Sequence, residues 1–217
     1  MTTGPDADRG QGWAPSPPLP APLPPPGWGW AGWALVIAAF AAGFANFPLR
    51  VVGWDLDHLP GDAIDPRLNN YVLEHGYRYL AGREASFWDA PMFYPAPDAI
   101  AGSDAHFGML PIYAAFREAG LPPERAFQGW FLVPFALNYA AAVWALRRLG
   151  GGPAGVAAGA FVFTFGLPVV GQLLHAQLYP RFLVPVAVVF AWEFLREPRT
   201  WKFAAVALAW AVQSYVC

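Results

Sequence analysis

The sequence predicts an all-α integral membrane protein, with four to five transmembrane helices and a long external loop after the first of them. Three observations carry this. Hydrophobic residues make up 56% of the chain and charged residues only 13%, against about 25% charged in a typical soluble domain. No charged residue lies between Arg125 and Arg147, and none between Arg148 and Arg181. Runs of about twenty apolar residues match the hydrocarbon thickness of a bilayer, and a soluble core does not need several in succession. The chain also holds 11 Trp and 8 Tyr, whose amphipathic rings collect at the headgroup level.

Residues 1–27 come before the first apolar run and include APSPPLPAPLPPP. So much proline keeps a segment extended and leaves it no core to bury, which predicts a disordered cytoplasmic tail. Without a basic n-region it is not a secretory signal. The membrane domain then occupies 28–217. Its first span is expected at about 28–48, with Trp28, Trp30 and Trp33 as an interfacial belt, and the external loop covers 50–125.

The second span, at about 127–146, ends at Arg147-Arg148. Gly150-Gly151-Gly152-Pro153 makes a tight turn into a third span at about 154–174. The link HAQLYPR, from His175 to Arg181, leads to a fourth span at about 182–195. A fifth apolar run begins at Phe203 and is about fifteen residues long. That is short for a span, so the polypeptide reads as one ending inside a hydrophobic helix, from a truncated gene or a partial sequence.

Short loops set orientation through their Lys and Arg residues. Arg147, Arg148, Arg196, Arg199 and Lys202 share one side if the spans alternate, and that side is expected to be cytoplasmic. The N-terminus is then cytoplasmic too, while 50–125 and the 175–181 link face outward. The net charge of −2 and the absence of a basic cluster give no sign of a nucleic-acid partner. A single cysteine, Cys217, leaves no internal disulfide and no cysteine metal site.

Of the 15 acidic residues, eleven lie between Asp55 and Glu124. A carboxylate near the bilayer surface serves as a general base or holds a divalent cation against phosphate. Asp65 before Pro66 has two readings: cap of a following helix, or catalytic carboxylate. That helix is expected to be amphipathic and to lie along the membrane surface. Leu68, Tyr71, Val72, His75 and Tyr79 fall on one face, with Arg67, Asn70, Glu74 and Arg78 around the other. Asp62 has no comparable structural duty, and Gly61 before it permits a sharp turn, which makes Asp62 the better base candidate. Asp55-Leu56-Asp57 has the D-x-D look of a metal site, on weak evidence. Ser103 or Asp104 suits the cap of a short helix, while Asp104 and His106 also suit acid or ligand roles opposite Asp62. The stretch from Trp88 to Pro95 reads as loop packing or as a sugar-stacking platform. Arg181 reads as a phosphate grip or as a side chain snorkelling to the interface.

The order of these parts resembles the GT-C superfamily of multi-pass membrane glycosyltransferases, especially its bacterial members. A first span is followed by GDAIDPRLNNYVLEHGYRYL and SDAHFGMLPIYAAFREAG, then by LNYAAAVWALRRLGGGPAGVAAGAFVFTFGLP and the H-A-Q link at 175–177. The resemblance runs from about residue 35 to the C-terminus; such proteins have more spans than are found here. It implies a polyprenyl-phosphate sugar donor, a membrane lipid environment, and transfer at the external face of a bacterial inner membrane. It also implies an essential carboxylate in the first external loop, matched best by Asp62 and next by Asp65. Arg67, Arg181 or a divalent cation would then stabilise the departing phosphate. Glu74, His75, Asp104, His106 and His175 complete the substrate-binding candidates. A transporter or flippase is the alternative, with Gly166 and Pro168 able to break the third span; a non-catalytic membrane fragment is another.

Overall fold

The structure, a computed structural model, describes residues 27–61, 64–172 and 175–216. The proline-rich stretch of the expected tail, Asp62 and Cys217 lie outside the described residues. Among the described residues all regular structure is helical. Four stretches are long and apolar enough to cross a membrane: Trp30–Val52, Pro123–Arg148, Pro153–Val170 and Ala176–Arg196.

Proline and glycine punctuate these helices. Helix α1 (Trp30–Asn46) stops at Phe47, whose φ of −123° and ψ of −83° precede Pro48 and the short α2 (Pro48–Val52). The residue before a proline is pushed out of helical geometry by the ring. The polar segment contributes α3 (Asp65–Leu80) and α4 (Leu110–Glu118), which pack on each other and on the start of α5 (Pro123–Arg148). Helix α6 (Pro153–Phe165) ends at Gly166, where ψ is 161°, and α7 (Leu167–Val170) follows with Pro168 in its first turn. A 3₁₀ turn at Ala176–Leu178 leads into α8 (Leu183–Arg196), and α9 (Thr200–Val216) returns along it.

The core is aromatic and centred on α5. Phe131, Phe135 and Tyr179 pack with centroids 5.0–5.5 Å apart. Phe47 meets Phe135 edge-on at 5.6 Å, and Phe165 stacks on Phe135 at 6.1 Å. Gly43 lets α1 approach the Phe165 ring so closely that a Cβ there would collide with it. Small residues serve helix contact in membranes in this way.

The basic loops gather at the opposite end from α3 and α4. Arg147 sits over the adjoining Trp28 and Trp33 rings, 4.6 and 4.7 Å from their centroids. Arg148 pairs with Glu193 at 2.7 Å. Lys202 is buried; its Nζ donates to the carbonyls of Glu193 and Glu197 at 3.3 Å and reaches the Glu197 carboxylate at 3.1 Å. It thereby satisfies the exposed carbonyl end of α8, which also favours positive charge.

The fifth apolar run is helical from Thr200, earlier than the expected start at Phe203. Its far end reaches the polar segment, where Gly108 N–H donates to the Tyr215 carbonyl at 2.7 Å. Gln213 on the same helix donates to the Pro180 carbonyl at 2.7 Å and accepts from Leu183 N–H at 3.2 Å. One buried amide thus starts α8.

Candidate functional site

The polar segment is fastened to the bundle through backbone carbonyls. Arg125 donates to the carbonyl of Asp55 at 2.7 Å and to that of Leu56. Gln128 donates to Leu56 at 2.6 Å and to His58 at 2.7 Å. These bonds leave the Asp55 and Asp57 carboxylates exposed; Asp57 meets the His58 ring at 2.5 Å. Among the described residues no group of three or more His, Cys, Asp or Glu side chains is placed to hold a metal ion. The D-x-D pair therefore finds no third ligand there.

The start of α3 differs from the expected cap. The Ile64 carbonyl accepts the first helical bond, from Leu68 N–H at 3.0 Å, so Ile64 holds the cap position and Asp65 is the first helical residue. The Asp65 carboxylate is turned toward His175, with Oδ2 3.8 Å from Nε2. The buried face of α3 is also rotated from the expected one. Asn69, Val72, Leu73, His75, Gly76 and Tyr77 are buried, while Tyr71 and Tyr79 are exposed. Contact with α4 and α5 selects this face, which apolar periodicity read alone centred elsewhere.

Asn69 sits at the middle of a relay. Its Nδ2 donates to Gln177 Oε1 at 2.9 Å, and its Oδ1 accepts from His106 Nε2–H at 3.2 Å. The loop carrying His106 is thereby tied to the 175–181 link. His106 is 5% exposed and packs edge-on to Trp130 at 5.4 Å. Burial pulls its pKa down to about 4, against a smaller upward pull from Asp104. Neither Ser103 nor Asp104 caps α4, as the sequence allowed. Met109 precedes that helix, and the His106 carbonyl accepts from Met109 and Leu110 N–H.

Because folded His106 takes a proton near pH 4 and an unfolded imidazole near 6.5, the unfolded state binds more protons between those values. The contribution to stability is therefore full above pH 6.5 and declines as pH falls toward 4, by up to about 3 kcal/mol. Thermal unfolding in lipid nanodiscs across that range measures the slope, which His106→Asn is expected to flatten.

Glu74 and His75 face other parts of the segment. Glu74 accepts from Arg117 Nε at 2.7 Å and Nη2 at 3.1 Å, and from the Tyr113 hydroxyl at 2.9 Å. This locks α3 to α4, and burial beside the Glu74 charge raises the Tyr113 pKa. His75 is buried, and its Nε2–H donates to the carbonyls of Ser86 and Phe87 at 3.0 and 3.1 Å. Phe87 stacks on Phe107 at 4.6 Å, and Trp88 meets Phe107 at 5.6 Å. The 88–95 stretch is thus partly packing, with Phe93 and Tyr94 left exposed.

Arg67 is exposed. Arg181 is half-buried: its N–H donates to Asn138 Oδ1 at 2.8 Å, and its guanidinium reaches the Phe163 carbonyl at 3.3 Å. Asn138 also donates to the Tyr179 carbonyl at 2.7 Å. Sequence reasoning passed over Asn69, Asn138 and Gln213. An amide inside an apolar run is costly unless partnered, and that cost was the available signal for Asn138 and Gln213.

A cavity of about 310 Å³ lies beside the relay, lined by Trp88, Asp104, His106, Phe107, Gln177 and Tyr215 among others. The structure therefore brings together His106, Asp104 and Gln177 at one cavity, and Asp65 with His175 on the same helix–link contact. Comparisons with protein-family models, with curated proteins and with solved structures find no match to this chain.

Proposed function

We propose that this protein is a membrane glycosyltransferase of the GT-C type, moving a sugar from a polyprenyl-phosphate donor to an acceptor hydroxyl at the external face of a bacterial inner membrane. One observation carries the reading. Two polar segments distant in sequence meet at one end of an apolar bundle, through Asp65 with His175 and through His106, Asn69 and Gln177. An enzyme acting on a lipid-linked headgroup needs polar chemistry gathered at this level.

The basic loops at the other end favour a cytoplasmic placement there, with 50–125 outside and α3 along the membrane surface. In this arrangement Asp62 is the general base for the acceptor hydroxyl, with Asp65 the next candidate. Gly61, at φ +86°, has the left-handed turn that glycine permits. Arg67, exposed in the first turn of α3, meets the donor phosphate where a helix N-terminus also favours negative charge.

The helix break at Gly166 favours a second reading, a transporter or flippase, since broken spans build transporter sites. Proteoliposomes loaded with a radiolabelled polyprenyl-phosphate sugar and a hydroxylated acceptor separate the two. Transfer requires a new labelled glycoside; transport requires label crossing the bilayer with the donor bond intact, which would overturn the transferase reading.

A further inference from the structure

The cavity beside the relay has a donor and acceptor pattern that selects among ligands. We infer that it binds a neutral, hydroxyl-bearing group, the sugar or polyol part of a substrate, and not a phosphate. Calling that group part of a substrate rests on the transferase reading; the binding preference does not.

Charge is the first argument. Among the described residues the lining holds the Asp104 carboxylate and no lysine or arginine, so a phosphate there would meet negative charge with no lining cation to offset it.

The relay is the second argument. His106 Nε2–H is spent on Asn69, and Gln177 Oε1 is spent on the Asn69 amide. Within the relay, what remains for a ligand is the lone pair of His106 Nδ1 and the N–H groups of Gln177 Nε2, beside Ser103, Ser214 and Tyr215 in the same lining. Reversing the relay would exchange these roles and still leave one donor and one acceptor. A hydroxyl gives and takes a hydrogen bond at once, so a single hydroxyl answers both groups. An ionised phosphate oxygen only accepts, and would set lone pair against lone pair at one of the two, His106 Nδ1 or, with the relay reversed, Gln177 Oε1.

The walls are the third argument. Trp88 and Phe107 line the same cavity, and flat aromatic faces pack against the C–H face of a sugar ring. Ser103, Ser214 and Tyr215 stand beside these rings in the lining, a mixture of aromatic and polar walls that suits a ring carrying several hydroxyls.

The full chain in lipid nanodiscs, labelled with ¹⁵N-histidine, tests this without turnover. The protein has 4 His, and His58→Gln, His75→Gln and His175→Gln assign the His106 signal by elimination. Methyl β-glucoside is expected to shift the His106 Nδ1 resonance saturably, and inorganic phosphate to leave it unmoved. Ala101→Trp, placed on the exposed rim of the cavity, is expected to abolish the shift while the Nε2–H tautomer persists. A shift with phosphate, no shift with the glucoside, or a glucoside shift that survives Ala101→Trp would each overturn the assignment. Loss of transfer activity with the glucoside shift intact would count against the transferase reading alone.

Discussion

Asn138→Leu is expected to unfold the bundle under conditions where the parent chain is stable. Asn138 is fully buried, and its amide closes two backbone groups at the entry to α8: the Tyr179 carbonyl at 2.7 Å and Arg181 N–H at 2.8 Å. That stretch, from Tyr179 to Phe182, is not helical and cannot satisfy itself. Irregular backbone within an apolar bundle persists only where protein groups pair it. Leucine has the same branched side chain of four heavy atoms as asparagine, yet it leaves both groups unpaired, at about 1–3 kcal/mol each. The sum is a large part of the about 5–15 kcal/mol that holds a typical domain folded. Thermal unfolding in nanodiscs measures the loss. Ala136→Leu, on the exposed face of the same helix, is expected to change little.

Glu74→Leu is expected to be the next most damaging change, and to loosen the polar segment rather than the spans. The Arg117 and Glu74 side chains are only 17% and 23% exposed, so removing the carboxylate leaves a poorly hydrated guanidinium without its counter-charge, held by the Leu121 carbonyl, while the Tyr113 hydroxyl falls back on Asn70 Oδ1 at 3.1 Å. Losing one partner of a buried pair costs about 3–5 kcal/mol, and the partial exposure here places the effect at the lower end of that range. Hydrogen exchange should rise in α3 and α4 while α6 and α8 stay protected. Tyr113→Phe removes the hydroxyl that donates to the Glu74 carboxylate and to Asn70 Oδ1 and is expected to cost about 1.5 kcal/mol, the low end for a bond to a charged group.

Spans and their order were legible because they depend on apolar length and on the placement of Arg147, Arg148 and Arg181. The break at Gly166 was legible in Gly166 with Pro168, whereas Pro48, which marks the expected end of the first span, instead starts α2 after the break at Phe47. The buried face of α3 was not. Asn69 and Tyr77 face inward because α4 and α5 cover that side, a long-range fact that helical periodicity lacks. The Asp65 cap failed for a related reason, since the first helical bond goes to Ile64. The meeting of His106 with Gln177 runs through Asn69, a residue with no motif to mark it. The sequence offers Arg181 as a phosphate grip or a snorkelling side chain; its neighbours Asn138 and Phe163 come from other helices, which the local sequence does not show.

Sugar transfer by single carboxamide variants, assayed in membranes with a polyprenyl-phosphate donor, addresses the central claim most directly. Asp62→Asn is expected to lower turnover by about 10²–10⁴-fold, the usual contribution of a general base, with Asp65→Asn also impaired. Asp55→Asn and Asp57→Asn are expected to stay near the parent rate. Undiminished turnover in both Asp62→Asn and Asp65→Asn would contradict the account.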